Sequence, residues 1–282
     1  MALFDDVLLT VDYDRTLTAP DSTIPERNLE AIRYFIENGG SFTMNTGRSV
    51  NTYRPLMDII PVNAPLLLFN GSAAYHNGEF IYTHEIDLDM WEVLDQIARE
   101  FPEMNLEVQG LYDHFLINEK QDFVNFYDSV GWHHTSAKSG DDLGPFIKFA
   151  LFGKPHYNAV ATMFDATDEE LAEFARAEER IRELCGDKIV IFRAAPRIID
   201  VHAKGVSKLA AARDLQAKLG KKILVCVGDA ENDITMLDGA DYAYCPADGV
   251  VADRYETVCK CADGAVADVI YKKIPEILGI QP

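Results

Sequence analysis

The sequence predicts an α/β protein with a doubly wound parallel-sheet core and an inserted α+β cap domain. Three features support this fold class: short apolar runs near both ends of the chain, helical patterns between them, and a middle region of different character. The apolar runs span residues 6–11, 41–46, 65–70, 222–227 and 241–245. Each is nearly continuous in apolar residues, which is typical of strands that are covered on both faces of a sheet.

Two amphipathic helical patterns lie between these runs. The first covers residues 24–40, with Pro25 in its predicted first turn and Gly39 at its C-terminal cap; the second covers residues 205–220 and ends at Gly220. An alternation of strands and helices indicates a Rossmann-like core. We expect the apolar stripes to face the sheet: Leu29, Ile32, Phe35 and Ile36 in the first helix, and Leu209, Ala212, Leu215 and Leu219 in the second.

The pattern changes between about His84 and His202. Segments 106–118 and 189–203 alternate apolar and polar residues, which fits sheets with one solvated face, and helical stretches at 89–101 and 168–184 lie among them. The core pattern resumes at Lys208. We therefore predict three segments. Residues 1–83 form the first part of the core, residues 84–202 form an inserted α+β cap, and residues 203–282 form the second part of the core.

Composition restricts the possible partners. The formal net charge is −20, and so acidic a surface repels nucleic acid. No apolar run approaches the length needed to span a bilayer, and the first ten residues, with Asp5 and Asp6 and no basic region, do not resemble a signal peptide. The five cysteines show no zinc or disulfide spacing, which is typical of a cytoplasmic protein. Together, these features predict a cytoplasmic protein that contacts neither nucleic acid nor membrane.

Polar residues follow four of the predicted core strands. They are found in the segments "DYDRT" (12–16), "NTGR" (45–48), "NGS" (70–72) and "GDAEND" (228–233), and Lys208 precedes the helix of the fourth unit. Ligands of open α/β sheets bind at the carboxyl ends of the strands, so these side chains are expected to meet at one edge. Any one segment alone is an ordinary capped turn, but their combination in this order favours a catalytic site.

A cation explains why carboxylates would gather at this edge. Two like charges as close as Asp12 and Asp14 repel each other, and oxygen ligands of this type suit Mg²⁺. Asp12 and Asp229 are candidate side-chain ligands, with Asp233 an open third, and Asp14 is a candidate ligand through its backbone carbonyl. A bound phosphate would then be neutralised by the metal, Lys208, the Thr46 hydroxyl and backbone N–H groups.

In this order, "DYDRT", "NTGR", the "SK" that ends at Lys208 and "GDAEND" resemble the four motifs of the haloacid dehalogenase superfamily. The "FNGS" segment (69–72) and the large insertion between the second and third motifs resemble its Cof-type branch of sugar-phosphate phosphatases. One departure is Arg15, where family members usually carry glycine. The resemblance implies a cap that sets substrate specificity, and a Mg²⁺-dependent phosphatase that acts on a small phosphorylated metabolite, in particular a sugar phosphate.

The resemblance also implies roles for individual residues. Asp12 would be the nucleophile that forms an aspartyl-phosphate, Asp14 the general acid and base, and Thr46 and Lys208 the groups that hold the transferring oxygens. Asp12, Asp14 and Asp229 would bind the metal. Supporting or phosphate-binding positions would be Thr16, Gly47, Arg48, Asn70, Gly71, Asn232 and Asp233.

Two other functions stay open from the sequence. A phosphomutase or phosphotransferase would share the aspartyl-phosphate but pass the group to a sugar hydroxyl, and a non-catalytic regulator would only bind a phosphorylated metabolite. In the cap, His133 and His134 lack a third metal ligand at usable spacing, so we expect a polar loop there. We expect Tyr112, Phe115 and Trp132 to belong to the core of the cap and not to a substrate platform. We expect Arg193 and Arg197 to lie at the surface of the cap, with the binding of a second anionic group of the substrate as the open alternative.

Overall fold

The computed structural model describes residues 2–153 and 166–280. Its strands, in chain order, are β1 Val7–Val11, β2 Ser41–Met44, β3 Leu66–Leu68, β4 Ala73–His76, β5 Glu79–Thr83, β6 Asn105–Gln109, β7 His114–Ile117, β8 Thr135–Ala137, β9 Lys148–Phe152, β10 Ile189–Ala195, β11 Ile198–Ala203, β12 Ile223–Val227, β13 Tyr242–Pro246 and β14 Glu256–Val258. The α-helices are α1 Glu26–Glu37, α2 Val50–Tyr53, α3 Met90–Glu100, α4 Gln121–Val130, α5 Asp168–Cys185, α6 Lys208–Leu219, α7 Ile234–Asp238, α8 Ala265–Asp268 and α9 Ile274–Leu278.

The described residues divide into two compact units. The core unit consists of the residues up to Gly47, Pro55–Tyr82 and the residues from Ser207 onward. The cap unit consists of Arg48–Arg54 and Thr83–Val206. This unit spans the predicted cap, 84–202, together with three short stretches that the sequence predicts in the core: 48–54, Thr83 and 203–206.

A five-stranded parallel sheet organises the core unit. The strand order is β14-β13-β12-β1-β2, and each neighbouring pair runs parallel. On one face, Leu8 and Leu224 pack in a cluster with Leu215 of α6 and Met236 of α7, while α1 contacts α8. The predicted doubly wound α/β core is confirmed, because strands 1, 2, 12 and 13 arise from four of the five apolar runs.

The third apolar run differs from its predicted place. Strand β3 pairs antiparallel with β4 in a separate three-stranded sheet, and a bridge between Leu67 and Asn45 joins it to the end of β2. The chain reverses immediately after β3 because Phe69 and Asn70 take left-handed φ angles of 52° and 54°. A single apolar run carries no sign of such a reversal, so residues 65–70 resemble an ordinary parallel strand in sequence.

The helix predictions hold with small corrections. Pro25 precedes α1 instead of lying within its first turn, and Gly220 caps α6 in a left-handed conformation. Leu219 is 38% exposed, so its predicted inward placement is wrong. The helix ends at that residue, and its buried apolar face is formed by residues further from this end: Ala211, Ala212 and Leu215.

A six-stranded sheet forms the centre of the cap unit, in the order β10-β11-β9-β6-β7-β8. One face packs Leu106, Val108 and Phe149 against α3 and α5 through residues such as Leu94 and Phe174. Helix α5 begins with a capping box in which the Thr167 hydroxyl accepts from the Glu170 N–H and the Glu170 carboxylate accepts from the Thr167 N–H. The predicted α+β character of the cap is confirmed.

The opposite face of this sheet is polar but buried, so the expected solvated face is wrong. The buried polar side chains on its central strands are Asn105, Glu107, Gln109, His114, Lys148, Asp200 and His202. Several of them pair with one another, since Lys148 Nζ lies 2.8 Å from the Asp200 carboxylate and His114 Nδ1 lies 2.7 Å from the Glu107 carboxylate. Such pairing offsets the cost of taking charged groups out of water.

Within the described ranges, no helix is both long enough and apolar enough to cross a membrane.

Candidate active site

The carboxyl end of β1 carries Asp12, the first predicted site residue. Val11 pairs with Val227 of β12 and with Met44 of β2, so the residues that follow these three strands emerge at the same edge of the sheet. The Asp12 N–H donates to the carbonyl of Val227 at 3.0 Å, which holds the start of the first loop against β12. Parallel register therefore brings the "DYDRT", "NTGR" and "GDAEND" segments to one edge, whereas the "NGS" segment follows β3 of the other sheet.

A buried lysine joins two of these motifs. Lys208 Nζ donates to Asp12 Oδ1 and to Asp233 Oδ1, both at 2.6 Å. Lys208 is 1% exposed, Asp233 0% and Asp12 7%. Charge-assisted hydrogen bonds of this length are among the strongest in proteins, so Lys208 fixes the orientation of the Asp12 carboxylate.

Two further carboxylate oxygens of the fourth motif, Asp233 Oδ2 and Asp229 Oδ1, also accept hydrogen bonds. Asp233 Oδ2 accepts from the N–H groups of Asp229 and Ala230 at 3.0 and 3.2 Å, and Asp229 Oδ1 accepts from the Thr16 hydroxyl at 3.0 Å. Gly228 is required here, because a Cβ at that position would lie 2.6 Å from the Asp233 side chain. Both oxygens of Asp233 are committed to the protein, whereas Asp229 is held through one oxygen.

The position of Lys208 depends on contacts that the motifs alone did not reveal. The Asn45 side-chain amide donates to the Lys208 carbonyl at 2.9 Å, and the Ser207 hydroxyl caps α6 by accepting from the Ala210 N–H at 3.0 Å. Gly71 has a φ of +96°, and a Cβ there would lie 2.5 Å from the Ser207 carbonyl oxygen. The glycine after Asn70 was the sequence signal for this close approach, although its partner was not evident.

Burial raises the pKa values of two carboxylates of the site, Asp12 and Asp229. Burial, with the nearby charges of Asp233 and Asp14, raises the pKa of Asp12 to about 7 even though Lys208 opposes the shift. Burial and the charges of Asp12 and Asp233 raise the pKa of Asp229 well above its usual range. Burial opposes the charged form of Lys208, but the two partner carboxylates outweigh it and raise the pKa of the lysine.

This group of carboxylates suits a hard divalent cation. Carboxylate oxygens of Asp12, Asp229 and Asp233 lie within 4.8 Å of one another, and those of Asp233 are already engaged by the protein. Negative charge held close together and out of water, as the raised pKa values show, is favourable only with added positive charge. Mg²⁺ prefers such oxygen ligands, so the residues fit the metal that the sequence predicts.

The first loop exposes Asp14 next to a residue of unusual conformation. Asp14 is exposed, and Arg15 after it takes a left-handed φ of 58° and ψ of 8°. The loop is held by the Arg15 N–H, which donates to the Thr18 hydroxyl at 3.1 Å, and by the Thr18 N–H, which donates to the Tyr13 carbonyl at 3.1 Å. This φ explains why glycine is the usual residue where Arg15 stands.

The second motif and the "NGS" segment meet through their backbones. The Thr46 N–H donates to the Leu67 carbonyl at 3.0 Å, and the Asn70 N–H donates to the Thr46 carbonyl at 2.9 Å. A Cβ on Gly47 would lie 3.1 Å from Asn70 Oδ1, and Asn232 Nδ2 lies 3.5 Å from the same oxygen. Thr46, Gly47, Asn70 and Asn232 therefore belong to one assembly in the core unit.

Arg48, the last residue of the second motif, belongs to the cap unit instead. Its guanidinium lies 5.9 Å from the centroid of the Trp132 ring. Its predicted place with the other phosphate-binding groups therefore stays a prediction.

The other cap candidates have mixed outcomes. His133 is exposed and its Nδ1 lies 3.4 Å from Asp113; among the residues that the structure describes, neither His133 nor His134 joins a metal-like cluster. Arg193 pairs with Glu178 at 3.0 Å, but Arg197 is only 4% exposed and lies 3.2 Å from Glu170, so its predicted surface location is wrong.

The aromatic residues of the cap are divided in the same way. Phe115 packs against the apolar cluster of the cap sheet and Trp132 packs beside Tyr127, as expected for a cap core. Tyr112 is 46% exposed, so its predicted place in that core is wrong.

Comparison with known proteins settles the family. A family model described as haloacid dehalogenase-like hydrolase matches residues 9–266, which include all four motifs. The chain belongs to the haloacid dehalogenase-like hydrolases. The resemblance seen in the motifs is thereby confirmed, and the enzyme is a hydrolase of this family.

Individual members of the family align over most of this hydrolase. It is 22% identical to an uncharacterized hydrolase of Schizosaccharomyces pombe, over 94% of this chain and 90% of the relative. It is 24% identical to the 5-amino-6-(5-phospho-D-ribitylamino)uracil phosphatase of Bacillus subtilis, over 84% and 82%. A solved structure described as a sugar phosphatase of subclass IIB superposes with a TM-score of 0.75 at 19% identity, covering 97% of this chain and 99% of that one.

Proposed function

We propose that this hydrolase is a Mg²⁺-dependent phosphatase that hydrolyses a small phosphorylated metabolite of the sugar-phosphate class. The observation that carries the proposal is the buried Lys208, which holds Asp12 through one carboxylate oxygen beside Asp229 and Asp233. A carboxylate that is oriented by a lysine and faces a cation site suits nucleophilic attack on phosphorus. The activities of the B. subtilis relative and of the structural neighbour, both phosphatases by name, agree with this reaction class.

The reaction takes two steps in this proposal. An oxygen of Asp12 forms a bond to phosphorus while the bond to the leaving oxygen breaks, and Asp14 gives its proton to that oxygen. Water then attacks the phosphorus of the aspartyl-phosphate, Asp14 takes the proton of the water, and the bond to Asp12 breaks to release inorganic phosphate. The exposure of Asp14 suits a group that exchanges protons with both the leaving group and water.

The supporting residues have separate tasks. Asp12, Asp229 and the backbone carbonyl of Asp14 would hold Mg²⁺, which when bound reduces the repulsion between the nucleophile and the phosphate. Asp233 has both oxygens engaged by the protein, so we assign it to the orientation of Lys208. Thr46, joined by its backbone to Leu67 and Asn70, would contact a transferring oxygen.

A substrate panel with and without metal tests the proposal. EDTA-treated enzyme should release no inorganic phosphate from sugar, ribityl and nucleoside phosphates, and Mg²⁺ should restore release. Asp12→Asn should lower kcat by at least about a thousandfold, as expected for a lost nucleophile. Asp187→Asn is the matched control, because it makes the same change at an exposed pair with Lys204.

Three results would separate this proposal from the alternatives. Turnover of Asp12→Asn within about tenfold of wild type would exclude Asp12 as the nucleophile. Isomer formation without release of phosphate would indicate a phosphomutase. Binding of phosphate esters without turnover, in the presence of Mg²⁺, would indicate a regulator.

A further inference from the structure

A chain of short hydrogen bonds runs through the cap unit. His114 Nδ1 lies 2.7 Å from Glu107 Oε1, and His114 Nε2 lies 2.7 Å from the Ser49 hydroxyl. Glu107 and His114 lie on the neighbouring strands β6 and β7, whereas Ser49 follows the second motif in sequence. All three side chains are buried, with exposures of 0%, 0% and 1%.

The charge of Glu107 fixes one end of this chain. Burial opposes ionisation of Glu107, but the charge and hydrogen bond of His114, the hydroxyl of Tyr127 and the charge of Lys148 together lower its pKa. Gln109 Nε2 also donates to Glu107 Oε1 at 3.2 Å. An ionised Glu107 is an acceptor only, so Nδ1 of His114 carries the proton between them.

At the other end of this hydrogen-bond chain, the Ser49 hydroxyl stays hydrogen-bonded whether the proton between Ser49 and His114 lies on the hydroxyl or on Nε2. The Ser49 hydroxyl oxygen accepts from the Thr52 N–H at 3.2 Å and lies 3.3 Å from the Thr52 hydroxyl. With a neutral imidazole, Ser49 donates to Nε2; with a charged one, Nε2 donates to Ser49, and Ser49 donates to Thr52. No buried polar group loses its partner in either arrangement, so the link persists in both.

A serine, a histidine and a carboxylate in this order also form the triad of serine hydrolases. Here the serine is buried, and its oxygen already serves as the N-cap of α2 by accepting from Thr52. These roles suit a structural link and leave no access for an acyl substrate.

The link holds a short segment that directly follows the proposed phosphate-binding Thr46. Ser49 lies three residues after Thr46 and begins the turn of helix α2. Two more contacts tie the same segment to the cap unit: Asn51 Nδ2 donates to the His133 carbonyl at 3.0 Å, and Arg48 lies over Trp132. Residues Arg48–Arg54 therefore pack with the cap unit, although the chain on both sides of them belongs to the core unit.

We infer that His114 is a positioning residue, which acts through Ser49 to set the backbone of the Thr46–Ser49 loop for phosphoryl transfer. The inference rests on the proposed function, because it takes Thr46 as a contact of the transferring oxygens. A side chain of β7 thereby acts on the segment that continues the second motif, through a hydrogen bond within the cap unit. The same chain makes the loop position depend on Glu107, a residue in none of the four motifs.

Two substitutions at His114 dissect the chain. His114→Gln keeps a donor near the position of Nε2, which contacts Ser49, but removes the group that faces Glu107. His114→Asn keeps a donor that faces Glu107 but removes the group that contacts Ser49. Since a misplacement of about 1 Å at a catalytic group costs about a hundredfold, His114→Asn, which lacks the contact to Ser49, should lower kcat about 10- to 100-fold. The KM should change less than about threefold, because the contact of Thr46 is used mainly in the transition state.

Hydrogen exchange of the loop gives a readout that does not depend on turnover. In the full-length protein, His114→Asn and Ser49→Ala should speed amide exchange in peptides covering residues 45–54 by at least about fivefold. Ser49→Thr, which keeps the hydroxyl, should restore both the exchange rate and kcat. His76→Asn is the matched control, since it makes the same change at an exposed residue of β4 and should leave both unchanged.

The outcomes separate positioning from stability. Faster loop exchange together with a lower kcat at nearly constant KM supports the inference. Unchanged exchange in residues 45–54, or a kcat within about twofold of wild type despite a lower Tm, would overturn it and leave His114 a stability residue only. An active Asp12→Asn variant would instead overturn the proposed function, whereas the exchange result would still report whether the link exists.

Discussion

Acidification of the metal-free enzyme should raise its free energy of unfolding, because Asp12 takes up a proton more readily in the folded state. Its pKa is about 7 in the fold against an ordinary value of 3.8, with burial as the main cause. Between these two values the folded state binds more protons than the unfolded chain. The contribution to stability is therefore fully present below 3.8 and is lost as the pH rises through about 7.

The size of the effect follows from the two pKa values. Between about pH 7.5 and pH 5, a single group with this difference contributes about 2–3 kcal/mol to the free energy of unfolding. A protein of formal charge −20 also gains stability in acid through reduced repulsion at its surface. The Asp12→Asn variant separates the two effects, since it keeps that surface and lacks the Asp12 carboxylate together with its contribution to the raised pKa of Asp229.

Urea titrations followed by far-UV circular dichroism in EDTA would measure the difference. Wild type should gain about 2–3 kcal/mol more than Asp12→Asn on going from about pH 7.5 to pH 5. Saturating Mg²⁺ at the higher pH should stabilise wild type and reduce its gain in acid, because the metal favours the ionised carboxylates. Equal gains for the two proteins, within about 0.5 kcal/mol, would refute the electrostatic picture of the site.

Three further substitutions test how the site is built. Gly71→Ala should lower Tm by several degrees and reduce kcat, because the added Cβ meets the Ser207 carbonyl that precedes α6. Gly78→Ala is the control in the same thermal melts, since Gly78 has a similar φ of +90° but open space, so the substitution reports backbone strain alone. Arg15→Gly should raise the free energy of unfolding by about 1 kcal/mol in urea, because it relieves a left-handed φ; an unchanged midpoint would show that no strain is stored there. Lys208→Met should cost about 3–5 kcal/mol by leaving buried carboxylates unpaired, and adding Asp233→Asn should recover part of that loss; no recovery in urea titrations would contradict the pairing.

Much of the core was predictable because its signals are local. Continuous apolar runs predicted β1, β2, β12 and β13, and an apolar stripe ending in glycine predicted α1 and α6. The order of polar segments at the strand ends then placed Asp12, Thr46, Lys208 and Asp229 in one neighbourhood, since parallel strands share an edge. Such inferences need only the period of the pattern and the topology that it implies.

Other features were hidden because they depend on which segments meet. The reversal after Leu68 is determined by two left-handed residues whose sequence, Phe69 and Asn70, does not require it. The buried location of Arg197 and the polar face of the cap sheet depend on partners such as Glu170 and Asp200, which no local pattern connects to them.

The sequence by itself determined the family, the parallel core and the composition of the carboxylate site, because each is written in residue types at short spacing. The tertiary structure alone decided that Lys208 bridges Asp12 and Asp233, and that Ser49 is held by His114. The residues of each pair lie between 25 and 196 positions apart in the chain, so only the folded backbone brings their polar atoms within hydrogen-bonding distance. Hydrogen bonds form over about 3 Å, and the order of residues along a chain does not record that distance.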